Sequence, residues 1–170
     1  LGNHDGNLKN DTRQDAITPI IDALEHDNII LLKNSGETKV NEDITLNVLS
    51  VFDRENWIKP TDGESINIAL YHGSIHGCQT SQGFVIQEGE DSLDIFKDFD
   101  FALLGDIHKQ QKMDLKGRVR YAGSTVQQNF GESINKGFLM WNIRDRFDWD
   151  CQHVSIANPR PFITVDLTST

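Results

Sequence analysis

Phe101-Ala102-Leu103-Leu104-Gly105-Asp106-Ile107-His108 is an apolar run that stops at a glycine and then delivers a carboxylate and an imidazole. A short apolar run bounded by turn chemistry reads as a buried strand, and the glycine lets the backbone turn sharply at its end. Two other segments share this design. Residues 66–72 read as a strand ending in Tyr71-His72-Gly73, and Leu1-Gly2-Asn3-His4-Asp5 gathers amide, imidazole and carboxylate on one polar turn. Strand ends are rigid platforms on which side chains from distant parts of a chain converge. The residues at these three places, Asn3, His4, Asp5, His72, Asp106 and His108, are hard to ascribe to chance as a set.

Outward from these segments, Ile17, Ile20, Ile21 and Leu24 recur at helical spacing and predict a helix over about 14–26, with Asp11-Thr12 as caps and Pro19 confining it to the later turns. Strands are expected over 29–33, 44–52, 99–104, 119–122, 137–144 and 151–156, with another beginning at Phe162. Asn34-Ser35-Gly36 reads as a turn and Ser92 as the cap of a short helix over 93–96. The stretch 74–90 is rich in Gly, Gln, Ser and Thr without periodicity, as an active-site loop would be. Asn158-Pro159-Arg160-Pro161 is the one plausible linker.

A chain of 170 residues, 37% apolar and 25% charged, has the composition of one soluble globular unit. Its longest apolar runs, Ile29 to Leu32 and Phe101 to Leu104, fall far short of the roughly 20 residues that cross a bilayer, and no signal peptide opens the sequence, so the default location is cytoplasmic. Cys78 and Cys151 lack the spacing of a zinc ribbon and read as free thiols. A net charge of −10 argues against a passive polyanion binder but not against a nuclease, because metal ions supply positive charge to a site of carboxylates and imidazoles. The densest basic run, Lys109, Lys112, Lys116, Arg118 and Arg120, directly follows Gly-Asp-Ile-His and is a candidate DNA contact, with an ordinary solvated hairpin as the alternative. Trp141 and Trp149 read as packing residues, His76 as a solvated loop histidine, and His26 and His153 as structural.

Asn carbonyl, imidazole and carboxylate together suit hard or borderline divalent ions such as manganese, and sites of this mixture serve two-ion hydrolysis. Leu1-Gly2-Asn3-His4-Asp5 resembles the Gly-Asn-His-Asp/Glu motif of calcineurin-like metallophosphoesterases, His72-Gly73 their isolated metal-binding histidine, and Gly105-Asp106-Ile107-His108 their Gly-His-x-His motif. Downstream, Tyr121-Ala122-Gly123-Ser124-Thr125, Phe130-Gly131-Glu132 and Lys136-Gly137-Phe138-Leu139 resemble segments of the SbcD and Mre-type DNA repair nucleases, with phage recombination endonuclease subunits the closest branch.

The resemblance implies an α/β fold of two stacked mixed β-sheets flanked by helices. It also implies a DNA exonuclease or endonuclease with two divalent ions, manganese or else magnesium. Asn3, His72 and Asp106 would bind one ion and His108 the other, while His4 would assist the leaving 3′ oxygen and Asp5 would orient His4. DNA, an SbcC-like coiled-coil ATPase and a second copy of the chain are the implied partners, in a bacterial cell or a phage-infected host and without a membrane. Asp106 departs from the family, which has His there, and the Asp-x-His and Gly-Asp-x-x-Asp motifs that precede the Gly-Asn-His turn in family members do not occur. Residues 1–156 are therefore expected to form the C-terminal part of a catalytic domain lacking its first strands, and 157–170 a linker and the start of a capping segment. The alternatives are a phosphodiesterase or phosphatase for a small substrate, or an inactive fragment that only binds a partner.

Overall fold

A computed structural model describes residues 1–7, 9, 10, 14–165 and 167. Its centre is a mixed six-stranded sheet built from β1 (Gly36–Lys39), β2 (Ile44–Leu49), β3 (Ile66–His72), β4 (Phe101–Gly105), β5 (Gln111–Lys112) and β6 (Val119–Tyr121). The strand order is β1-β2-β3-β4-β6-β5; β2, β3, β4 and β6 run parallel, and the two edge strands run antiparallel to their neighbours. A second, two-stranded antiparallel sheet pairs β7 (Lys136–Ile143) with β8 (Trp149–Ile156).

Successive residues of a strand face opposite sides of the sheet. Ile66 and Ile68 of β3 therefore share a face with Phe101 of β4, and Trp141, Ile143 and Trp149 of the hairpin close over them. Phe101 meets both indoles edge-on, at 5.9 and 5.3 Å between centroids, as packing residues do. The opposite face carries Leu49, Ala69, Tyr71, Ala102, Leu104 and Tyr121, buried against Ile75, Cys78 and Phe96 from the connections. Cys78 and Cys151 are both free.

The α/β class and the long strands agree with the sequence pattern; the helices and short elements differ. Among the described residues a single α-helix, α1 (Thr18–Leu24), replaces the expected span of 14–26, and it buries none of its residues. The expected caps Asp11 and Thr12 lie outside the described residues. Asp15 caps the helix instead, its carboxylate accepting the Ile17 and Thr18 amides at 2.9 and 2.7 Å and pairing with Lys33 at 2.6 Å, with Pro19 inside the first turn where its missing N–H costs nothing. Residues 93–96 form a 3₁₀ turn rather than an α-helix. No strand forms over 29–33; Ile30 is 76% exposed, because an apolar run without a neighbouring strand to pair with stays extended coil. Nor does a strand start at Phe162 within the described residues. The second sheet is purely antiparallel rather than mixed. Among the described residues no helix is long and apolar enough to cross a membrane.

Candidate metal centre

The carboxyl ends of parallel strands are where open α/β sheets gather their functional groups. Here β3 ends in His72 and the adjacent β4 in Gly105, paired in register, so that Asp106 and His108 emerge beside His72. The N-terminal turn folds against the same edge. A Cβ on Gly2 would stand 2.6 Å from His72 Nε2, and one on Gly105 would stand 2.8 Å from His72 Nδ1. The two glycines thus clamp the imidazole from two segments remote in sequence, and neither position has room for a side chain.

Asp106 is the centre of the group. Its Oδ1 lies 3.5 Å from His72 Nε2. The His72 imidazole holds its carboxyl below the usual carboxylate range against the opposing effect of burial, and His108 and His4 add to the same pull. Its backbone has φ 87°, a conformation that costs a non-glycine residue of order 1–3 kcal/mol and that persists only where the surroundings enforce it. Asn3 Oδ1 is buried with no hydrogen-bond partner, an acceptor that a cation would satisfy. Among the described residues no three His, Cys, Asp or Glu side chains are drawn together tightly enough to hold an ion. The donor chemistry present, amide oxygen, carboxylate and imidazole, nevertheless fits manganese or magnesium.

His108 is held from behind. Its Nδ1 lies 3.0 Å from Glu132 Oε1, which fixes the ring and leaves Nε2 free as a ligand atom. Glu132 is itself buried and paired with the buried Lys136 at 2.8 Å, and it accepts the Gln128 amide at 3.1 Å. Burial pushes the Glu132 carboxyl up, but the Lys136 ammonium, the His108 imidazole and the Gln128 amide outweigh it and bring it down to about 2. Lys136 also donates to Ser124 Oγ at 2.9 Å and to the His108 carbonyl at 3.3 Å. Glu132, Lys136 and Ser124 were absent from the expected site, although all three lie in the motifs that carry the nuclease resemblance. Their signal was a Glu and a Lys four residues apart beside a strand start.

Tyr121, fully buried, donates from its hydroxyl to the Gly73 carbonyl at 2.7 Å and accepts the Ile75 amide at 2.8 Å, fixing the turn that follows His72. Beyond it the 74–90 loop is laced to itself, with Ile86 donating to the Cys78 carbonyl and Gly77 to the Ile86 carbonyl, each at 2.8 Å.

Two expected roles are altered. Asp5 uses its carboxylate to accept the Gly2 amide at 2.7 Å, closing its own turn, and among the described residues no hydrogen bond joins it to the exposed His4. Of the five basic candidates, Arg118 and Arg120 turn inward and Lys116 is exposed. Arg120 pairs with Leu103 in register and so faces the hairpin, where its guanidinium lies 5.3 Å from the Trp141 ring centroid and 5.8 Å from that of Trp149. Arg118 lies over Phe101 and donates to the Arg146 carbonyl. Lys109 donates to Gln79 Oε1 at 2.6 Å, and Lys112 is exposed.

Several openings border the centre. One, of about 200 Å³, is lined by Asp106, His108, Asn129 and Glu132 with Thr80 and Ser81, whose hydroxyls are buried and unpartnered. Another, of about 320 Å³, is an apolar cleft beside His72 walled by Leu32, Val48, Leu70 and Leu103. The third lies on the hairpin side of His108.

No protein-family model matches the chain. An uncharacterized protein of Acanthamoeba polyphaga mimivirus is 32% identical over 178 aligned positions, which cover 98% of this chain. The chain spans only 13% of the length of that relative.

Proposed function

We propose that the chain is part of a calcineurin-like metallophosphoesterase domain whose reaction is metal-dependent hydrolysis of DNA phosphodiester bonds, in repair or recombination. The observation that carries the reading is that three motifs up to about a hundred residues apart meet at one end of the sheet, with His72 Nε2 3.5 Å from Asp106 Oδ1 and the Gly2 turn packed against the His72 ring. Asn3, His72 and Asp106 hold one divalent ion and His108 holds the second; manganese suits the donors, with magnesium the alternative. Bound ions would lower the pKa of water and neutralise charge on the phosphoryl oxygens. Glu132 keeps His108 in one orientation, and the Gly2 and Gly105 clamp does the same for His72. His4, which is exposed, would give a proton to the departing 3′ oxygen. Lys109 and Lys112 remain available for backbone contacts, whereas Arg118 and Arg120 serve packing. An SbcC-like ATPase and a second copy of the chain are the proposed partners.

The resemblance places further ligands on Asp-x-His and Gly-Asp-x-x-Asp motifs, which do not occur in this sequence. This chain alone is therefore expected to bind at most one manganese ion, weakly, by calorimetric titration. With those motifs supplied ahead of Leu1, manganese-stimulated degradation of duplex DNA is expected, reduced at least about a hundredfold by His4→Ala or His108→Ala. Full activity in either variant would sink the residue roles. Efficient turnover of a chromogenic phosphodiester with none of duplex DNA would favour the small-substrate alternative.

A further inference from the structure

The third opening, about 260 Å³, is lined by Lys109, Lys136, His108 and His153 with Ser133 and Asn135 among its polar walls, and among the described residues no carboxylate lines it. In a chain of net charge −10 that composition is unusual, and it contrasts with the opening on the other side of His108, where Asp106 and Glu132 supply negative charge. Lys136 is matched by Glu132, but Lys109 has only the neutral Gln79 amide as its partner and no ion pair among the described residues. The cavity therefore has an excess of positive charge and of hydrogen-bond donors.

The wall is built by the fold. β8 brings His153 opposite Leu139 of β7, and the ring lies against Gly137, where a Cβ would stand 2.8 Å from His153 Nε2. A side chain at Gly137 would meet the Val154 carbonyl first and then the imidazole, so the position holds none and the ring occupies that space. Asn135, in the turn before β7, accepts the Ser155 hydroxyl at 3.2 Å through Oδ1, leaving its amide nitrogen free to donate. The two cavities share His108 and Ser81, so a chain of phosphates lying across His108 would pass from one into the other.

We infer that the hairpin-side cavity is a phosphate-binding subsite, formed by Lys109, Asn135 and His153, that seats the phosphodiester neighbouring the one hydrolysed. The identity of the ligand as a nucleic-acid phosphate rests on the nuclease reading; the anion site does not. The test is titration of the isotope-labelled protein with inorganic phosphate and separately with tetrathymidylate, without divalent ions, followed by NMR. Shift changes should cluster at Lys109, Ser133, Asn135 and His153, with tighter binding of tetrathymidylate. His153→Gln, or Asn135→Asp on the exposed turn where folding is not at risk, should each weaken phosphate binding at least about tenfold. Equal changes at the remote Lys59, or unchanged affinity in both variants, would overturn the subsite. Phosphate binding confined to the cavity with no gain from tetrathymidylate would support the subsite and count against the nuclease reading.

Discussion

At the scale of single residues, the strain at Asp106 is the clearest sign that chemistry rather than stability selected the side chain. A glycine would adopt φ 87° without cost, yet a carboxylate stands there, next to a glycine that the sequence could have placed one position later. Asp106→Gly is therefore expected to raise stability by about 1 kcal/mol while abolishing manganese binding. Thermal unfolding and calorimetric titration of the same variant check both halves; a destabilised Gly variant would mean that the backbone is not strained. The motif leads one to expect Asn3 as a ligand, and its buried Oδ1 without a hydrogen-bond partner is an acceptor that a cation would satisfy. Glu132 stood in a motif of the resemblance, but a loop carboxylate has no periodicity to give it a role; its contact with His108 and its buried pairing with Lys136 show that it supports the imidazole.

Among the elements, the hairpin of β7 and β8 carries the packing on one face of the central sheet. Trp149→Ala removes an indole that meets Phe101 edge-on and uncovers Arg120, and should cost about 3 kcal/mol in urea unfolding; a loss below about 1 kcal/mol would place the packing elsewhere. The strands that sequence pattern found, β2, β3, β4, β6, β7 and β8, are those whose apolar residues record a buried face. β1 (Gly-Glu-Thr-Lys) escaped because a polar edge strand needs only a partner, and β5 because two residues make no pattern. The run Ile29 to Leu32 misled for the converse reason: hydrophobicity promises burial, whereas a strand also requires a neighbour. Arg118 and Arg120 misled in another way, since charge alone does not say which side of a strand a residue faces, and the register does.

For the whole molecule, buried and capping carboxylates set the response to acid. Glu132 has its carboxyl down at about 2 when folded, and the Lys33 ammonium and the Thr18 amide hold Asp15 well below the usual range. Both folded values lie beneath the unfolded ones, near 4, so these groups contribute stability above about pH 5 that disappears as the pH falls through the folded values. The urea midpoint is expected to fall steadily from pH 5 to about 2, and Glu132→Gln to flatten much of that slope; an unaltered slope in the variant would assign the acid sensitivity to other carboxylates.

The position of Glu132 and Lys136, between the sheet and the hairpin, also has a kinetic consequence. The parallel core of β2, β3, β4 and β6 must close long connections before its contacts form, and such topologies fold slowly. His108 gains its brace only when the segment entering β7 has docked against it. The environment of the His108 imidazole therefore reports whether that segment has docked.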